Sequence, residues 1–239
     1  LTMEKAIIKS IFGESGSGKS TVLRSIIGGL LGQGKVVSGD IIFNGKSLLN
    51  LSNNEWRELR GTVISMISQD CGATLNPIRK IGSQYIEYIN AHTNLNKTEA
   101  ENKALSMLEK VRLPEVKNIM NSYPYELSGG MKQRVGIAMA LTFEPELVLA
   151  DEPTSALDVT TQAQIVKQMM ELRDEFNTGI IIVTHNMGVA AYMADKIVVM
   201  QKGVVVDSGT REEVINNPKS DYTKKLLKSI PEMDGERFV

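Results

Sequence analysis

A glycine-rich segment near the start of the sequence contains the residue types that bind phosphate groups. It reads Gly13-Glu14-Ser15-Gly16-Ser17-Gly18-Lys19-Ser20 and matches the pattern G-x-x-x-x-G-K-[S/T] in full. Glycines let the backbone turn so that successive N–H groups face an anion, Lys19 adds positive charge at the β- and γ-phosphates, and the Ser20 hydroxyl can ligate Mg²⁺. The sequence therefore predicts a site for a nucleoside triphosphate at this loop.

Two adjacent carboxylates follow an apolar segment in the second half of the chain. Residues 147–150 are all apolar, and Asp151 and Glu152 come directly after them. An acidic pair after a strand is by itself more typical of a solvated turn. In a chain that also has a phosphate loop, we expect Asp151 to serve a metal ion and Glu152 to polarise an attacking water, because phosphoryl transfer depends mainly on positioning and charge stabilisation.

A second segment could bind an anion at the start of a helix. It reads Leu127-Ser128-Gly129-Gly130-Met131-Lys132-Gln133. Ser128 is a favourable N-cap residue, and the two glycines allow a ligand to approach the backbone closely. Alone, this pattern would indicate an ordinary capped helix; beside the phosphate loop, it predicts a second phosphate-binding surface.

The elements that must position these residues alternate between strand and helix. Strands are predicted at residues 6–12, 36–43, 63–68, 146–150, 180–184, 196–201 and 204–207, and helices at 19–30, 52–60, 79–91, 97–111, 128–141, 161–176 and 186–193. This alternation predicts an α/β fold with a mostly parallel sheet and ligands at the carboxyl ends of its strands. We expect a single domain, with a core of residues 1–69 and 143–209, a helical subdomain at 70–142 and a C-terminal helical tail at 210–239.

Composition excludes several classes of protein. The 239 residues include 27 Lys and Arg against 28 Asp and Glu, for a formal net charge of -1, so we expect no nucleic-acid partner. The single cysteine excludes a zinc site built from several cysteines. No apolar run approaches the roughly 18 residues that a membrane-spanning helix needs.

The order of the motifs resembles that of ATP-binding cassette (ABC) ATPases, which have the P-loop NTPase fold. Between the phosphate loop and the end of the chain come Gln69 after a strand, the Leu-Ser-Gly-Gly signature, Asp151-Glu152, and a strand that ends in Thr184-His185. The resemblance implies ATP and Mg²⁺ as ligands. It also implies a second ABC ATPase domain as partner, from an identical or a related chain, with each ATP held between the phosphate loop of one domain and the signature of the other.

The same resemblance implies a role for each candidate residue. The phosphate-binding residues would be Gly13, Glu14, Ser15, Gly16, Ser17, Gly18, Lys19, Ser20 and Thr21. Ser20 and Gln69 would reach Mg²⁺, which Asp151 would support through water. Glu152 would be the general base and His185 would contact the γ-phosphate, while Ser128, Gly129 and Gly130 would serve the ATP of the partner.

A narrower resemblance is to the importers of oligopeptides, dipeptides and nickel. Its residues lie at Gly72-Ala73-Thr74-Leu75-Asn76-Pro77, at Tyr123-Pro124-Tyr125-Glu126, and at Asp221-Tyr222-Thr223. It implies a peripheral ATPase on the cytoplasmic side of the cell membrane that powers import through two integral membrane permeases. An extracytoplasmic solute-binding protein would deliver the solute to those permeases. Residues 75–87 are then the expected permease interface.

Two alternative functions stay open at this point. A soluble ABC-type ATPase of DNA repair or translation would have the same motifs, although 57 residues between Gln69 and Leu127 are too few for a long coiled coil. The other alternative is an N-terminally incomplete cassette that binds ATP weakly. The family places two strands and an adenine-stacking aromatic before the phosphate loop, whereas twelve residues precede Gly13 here and Phe12 is the one aromatic among them. We therefore expect a reduced antiparallel β part.

Overall fold

The structure, a computed structural model, describes residues 6–228 and the backbone of residues 232–233 and 236–237. The predicted domain boundaries at residues 1 and 239 lie outside these ranges. Its strands are β1 (Ile8–Phe12), β2 (Ile42–Phe43), β3 (Lys46–Ser47), β4 (Ile64–Ile67), β5 (Leu147–Asp151), β6 (Gly179–Thr184), β7 (Lys196–Gln201), β8 (Val204–Thr210), β9 (Glu232–Met233) and β10 (Glu236–Arg237). Its helices are α1 (Lys19–Ile26), α2 (Asn53–Leu59), α3 (Cys71–Thr74), α4 (Ile81–His92), α5 (Lys97–Lys110), α6 (Val116–Asn121), α7 (Gly129–Leu141), α8 (Val159–Phe176), α9 (Met187–Met193), α10 (Arg211–Asn216) and α11 (Asp221–Lys228), with a 3₁₀ turn at Pro124–Glu126.

A six-stranded sheet in the order β4-β5-β6-β1-β7-β8 forms the centre of the molecule. The first five strands of that order run parallel, and β8 pairs antiparallel with β7. The expected α/β fold with a mostly parallel sheet is therefore confirmed. The β2–β3 hairpin is a separate antiparallel pair of two residues a strand, joined by a turn at Asn44-Gly45.

Apolar side chains cover both faces of this sheet. Successive residues of each central strand alternate between two core clusters, as in β5, where Val148 and Ala150 belong to one and Leu147 and Leu149 to the other. The smaller cluster includes Leu23 and Ile26 of α1. The larger cluster contains buried residues of α4–α9. Because both faces are buried, the sheet can present polar site residues only at its ends.

Several predicted element boundaries need correction. The first helix ends at Ile26 rather than at residue 30, since Gly28 has φ 64° and the chain leaves the helix there. Of the strand predicted at residues 36–43, only Ile42–Phe43 pairs with another strand, and Val37 is exposed. Helices α3 and α6 were not predicted.

The segment between β4 and β5 is helical, as expected for residues 70–142, and contains α3–α7. In the predicted C-terminal helical tail, α10 and α11 are helices, whereas β9 and β10 form an antiparallel pair, so the tail is not helical throughout. Within the described part of the chain, no helix is both long and apolar enough to cross a membrane.

Candidate functional site

Four parallel strands bring the predicted catalytic residues to one edge of the sheet. In their register, Phe12 pairs with Thr184, Asp151 with Val183, and Ile67 with Ala150. Strands β1, β6 and β5 are followed directly by Gly13, His185 and Glu152. Gln69 is the second residue after β4. Their order across the sheet is thus fixed by strand pairing rather than by proximity in the sequence.

Close packing shapes the phosphate loop. Gly13 is buried, and a Cβ atom there would overlap the main-chain oxygen of Met200. The turn between β7 and β8 also holds the loop, because the main-chain N–H of Gly203 donates to the main-chain oxygen of Ser17 at 3.1 Å. Gly18 takes φ 93°, a left-handed conformation, as the residue before α1. The first N–H groups of α1 have no partner within the helix and are available to an anion.

Lys19 lies inside this loop. Its ammonium group donates to the main-chain oxygens of Gly13 and Glu14, both at 2.8 Å, and the side chain is buried. Burial lowers the pKa of Lys19 from its ordinary value, while the carboxylates of Glu152 and Asp151 partly offset that effect by raising it. A buried ammonium group whose hydrogen bonds go to main-chain oxygens at a glycine-rich loop can bind an anion.

Ser20 and Asp151 form the pair that fits a magnesium ion. The Ser20 hydroxyl donates to Oδ1 of Asp151 at 2.7 Å, although 131 residues separate them in the chain. A hydroxyl and a carboxylate are hard oxygen ligands, and Mg²⁺ usually takes one or two carboxylates together with phosphate oxygens and water. Among the described residues, no cluster of three or more His, Cys, Asp or Glu could hold a metal by itself.

Glu152 and His185 lie in contact beside the loop. Nδ1 of His185 is 2.9 Å from Oε2 of Glu152, and their strands are neighbours in the sheet. The main-chain N–H of Glu152 donates to the Val183 oxygen at 2.9 Å. Glu152 has φ 46°, a left-handed conformation that costs a non-glycine residue of order 1 kcal/mol and that recurs at functional sites. The arrangement can hold a water molecule next to a phosphate.

A cavity of about 400 Å³ separates the loop from this pair. It is lined by Phe12, Gly13, Glu14, Ser15, Glu152, His185 and Leu226. Two residues of α11 that are not among the predicted site residues contact this region. Leu226 lines the cavity, and the Tyr222 hydroxyl accepts a hydrogen bond of 3.3 Å from the main-chain N–H of Glu14. A C-terminal helix therefore forms one wall of the candidate site.

Gln69 and the signature residues are predicted site residues that do not line this cavity. The side chain of Gln69 is exposed at the end of β4. The signature lies at the start of α7, where Ser128 caps the helix by accepting from the N–H of Met131 at 3.3 Å. A Cβ atom on Gly130 would lie 2.8 Å from Cγ2 of Thr161, so the signature packs against the start of α8 and not against the phosphate loop of its own chain.

A model of the family described as "ABC transporter" matches residues 1–155 of the chain. That span includes the phosphate loop, Gln69, the signature and Asp151-Glu152. The chain belongs to the ABC transporter family. It is an ABC-type ATPase with the α/β P-loop fold of that family.

Two curated relatives of this ABC ATPase share more than two fifths of its residues. The oligopeptide transport ATP-binding protein OppD of Haemophilus influenzae is 46% identical over 234 residues, which are 98% of the chain and 72% of OppD. The dipeptide transport ATP-binding protein DppD of Lactococcus lactis is 42% identical over 234 residues, 98% of the chain and 67% of DppD.

Solved structures show the same fold. The dimeric post-hydrolysis state of the ATP-binding cassette MJ0796, bound to ADP and Pi, aligns with a TM-score of 0.76 and 30% identity over 88% of each chain. The expected membership and fold are therefore confirmed. The roles of individual site residues stay predictions.

Proposed function

We propose that this ABC ATPase binds MgATP at the phosphate loop and hydrolyses it to power the import of peptides through partner membrane permeases. The observation that carries the hydrolytic part is the 2.9 Å contact between His185 and Glu152 across a cavity from the loop of Lys19. The names of the relatives, which concern oligopeptide and dipeptide transport, support peptides as the solute and give no support to nickel.

The phosphate loop binds the triphosphate in this proposal. Residues 13–21 surround it with main-chain N–H groups, and the Lys19 ammonium neutralises charge at the β- and γ-phosphates. Asp151 and the Ser20 hydroxyl would hold Mg²⁺ together with phosphate oxygens, and Gln69 would reach it from the end of β4. When bound, the ion withdraws charge from the phosphate oxygens.

Hydrolysis needs a water in line with the γ-phosphate. Glu152 accepts a proton from that water as general base, and its partner His185 fixes the carboxylate while contacting the γ-phosphate. Because Oε2 faces Nδ1 of His185, Oε1 of Glu152 is left to hold the water. This arrangement is in keeping with phosphoryl transfer, in which the protein mainly positions the reacting groups and stabilises charge.

A second cassette completes the site. Ser128, Gly129 and Gly130 lie away from the phosphate loop of their own chain, and Ser128 and Gly129 are exposed, so they are available to the ATP of a partner. The dimeric MJ0796 structure supports pairing of this kind.

The permease interface is proposed at residues 75–87. Four residues of this segment line a groove of about 290 Å³, whose full lining is Thr74, Leu75, Arg79, Gln84, Glu87, Tyr88, Ala91 and Met139. Ile78 beside the groove is 82% exposed, which favours contact with an apolar partner surface. Binding there would place the ATPase on the cytoplasmic side of the membrane.

Reconstitution with the two candidate permeases tests the proposal. We expect the chain to co-purify with them and its ATP hydrolysis to rise when a peptide-loaded binding protein is added. An Ile78→Glu variant should lose the association but keep ATP binding. A chain that associates with no permease, or that binds nucleic acid with salt-sensitive affinity, would contradict the import function, and absent ATP binding would favour an incomplete cassette.

A further inference from the structure

A buried glutamine lies one turn into α7, the helix that begins at the signature. The side chain of Gln133 is 4% exposed. Its Oε1 accepts from the main-chain N–H of Cys71, and its Nε2 donates to the main-chain oxygen of Ser68, both at 3.3 Å. These two backbone groups flank Gln69 and Asp70, so a single side chain is bonded to both ends of the segment 68–71, here called the Gln69 segment.

The backbone of α7 comes close to the same segment one turn later. A Cβ atom on Gly136 would overlap Sγ and Cβ of Cys71, which itself is 3% exposed. Gln133 and Gly136 are three residues apart and therefore lie on one face of the helix. Two independent contacts thus fix the Gln69 segment to α7.

Gln69 has no comparable support of its own. Its side chain is exposed, and no hydrogen bond joins it to another residue of the described part of the chain. The backbone of the segment, and not the side chain, therefore sets where the Gln69 amide lies relative to Asp151. An apolar side chain in place of Gln133 would fill the same space but leave both backbone groups without their partners.

We propose that Gln133 is a positioning residue for hydrolysis, which holds Gln69 at the metal and water side of the site and links that side to the signature at the start of the same helix. The inference rests on the proposed function, since it assigns Gln69 a part in turnover. It concerns a residue that touches neither nucleotide nor metal.

A pair of matched variants tests the proposal. Gln133→Met keeps the length and volume of the side chain and removes both hydrogen bonds. Gln168→Met is the control, because Gln168 is also buried, at 3% exposure, and also makes two hydrogen bonds: its Nε2 donates to the main-chain oxygen of Lys110, and its Oε1 accepts from the guanidinium group of Arg134. Neither partner is a predicted site residue. Circular dichroism and thermal unfolding confirm that both variants fold.

Steady-state kinetics of the full chain give the first readout. Binding depends on the phosphate loop, which Gln133 does not touch. We therefore expect Gln133→Met to lower kcat about tenfold with KM for MgATP within about threefold of wild type, and Gln168→Met to leave both within about twofold. A loss confined to stability would move neither parameter in a folded sample.

The single cysteine of the chain supplies a readout that needs no turnover. Cys71 lies in the Gln69 segment and its side chain is 3% exposed, so iodoacetamide should label it slowly in the folded chain. Release of the segment exposes the thiol. We expect Gln133→Met to label about tenfold faster than wild type, whereas Gln168→Met should label at the wild-type rate.

The outcomes separate this inference from the proposed function. Wild-type kcat together with wild-type labelling in Gln133→Met would overturn the positioning role, and so would faster labelling with unchanged kcat. A wild-type chain that hydrolyses no ATP, alone or with permeases, would instead overturn the proposed function. The labelling comparison would then decide whether Gln133 holds the segment.

Discussion

Glu152 combines a predicted catalytic role with an unfavourable backbone conformation. Its left-handed φ of 46° places the side chain next to His185, while Asp151, its neighbour, hydrogen-bonds Ser20. Two adjacent carboxylates thus face different partners. This separation at the level of single residues supports one carboxylate for the metal and one for the water.

Replacement of Glu152 by glutamine tests that separation. Glu152→Gln keeps the shape of the side chain but cannot accept the proton, so kcat should fall by roughly 10² to 10⁴ while the Kd for ATP changes little. Single-turnover hydrolysis and equilibrium binding measure the two effects. Glu146→Gln, at the opposite end of β5, where Glu146 accepts a hydrogen bond from Asn44, is the control and should keep wild-type turnover. Retained turnover in Glu152→Gln would refute the general-base assignment.

Because Lys19 is buried, we expect ATP binding to depend on pH. Burial lowers the pKa of Lys19 below its usual 10.5, and only the protonated form attracts a polyphosphate. ATP should therefore bind with full affinity at pH values below the lowered pKa. The affinity should decrease as the pH rises through that pKa, and this decrease should begin at a lower pH than for an ordinary lysine.

Titration of ATP binding against pH measures this effect, over the range in which circular dichroism shows a folded chain. Lys19→Arg is the control, because its guanidinium stays protonated and the affinity, although weaker, should not change with pH. Wild-type affinity that stays constant up to about pH 10 would contradict the role of a buried, perturbed Lys19.

At the scale of elements, α7 joins two parts of the predicted site. It begins at the signature, and it holds the Gln69 segment through Gln133 and through Gly136, which packs against Cys71 at the start of α3. A helix with this many fixed contacts should tolerate little change at its buried face.

Two glycines of α7 provide a matched comparison. Gly136→Ala should lower the free energy of unfolding by about 1–3 kcal/mol, because the new methyl group overlaps Cys71. Gly129→Ala should be neutral or stabilising, since its Cβ would lie 3.8 Å from Leu157 and alanine favours helix. Chemical denaturation measures both. Equal stability of the two variants would show that α7 can move away from α3.

Local sequence signals predicted the elements that have strong local causes. Helix α7 begins directly after Ser128, the predicted N-cap, and α2 lies within the predicted residues 52–60, where Ser52 and Glu55 form a capping box. The end of α1 was missed because tertiary contacts help to set it. A Cβ atom on Gly28 would lie 2.6 Å from the Trp56 ring of α2, and the Arg60 guanidinium donates a hydrogen bond to the main-chain oxygen of Gly28.

The sequence also predicted part of the candidate site. Motifs identified residues at strand ends, since a parallel sheet collects those ends at one edge. Leu226, Tyr222 and Gln133 were not identified as site residues, because their contacts join segments far apart in the chain and follow from packing alone. No local pattern distinguishes a buried glutamine that fixes a loop from one that fills a core.

At the scale of the whole molecule, the two groups that we propose to hold ATP, the phosphate loop and the signature, do not come together within one chain. The phosphate loop lies at the carboxyl edge of the sheet, and the signature packs against α8. A two-fold pair of chains would join each loop to the signature of the other, which gives two identical composite sites.

Mixing of two defective chains tests this central claim most directly. Lys19→Ala removes the loop half and Ser128→Arg blocks the signature half, so we expect neither chain to hydrolyse ATP alone. A mixed pair has one site in which both halves are intact, and an equimolar mixture should regain about a quarter of wild-type turnover. Wild-type turnover by the Ser128→Arg chain on its own would contradict the composite site.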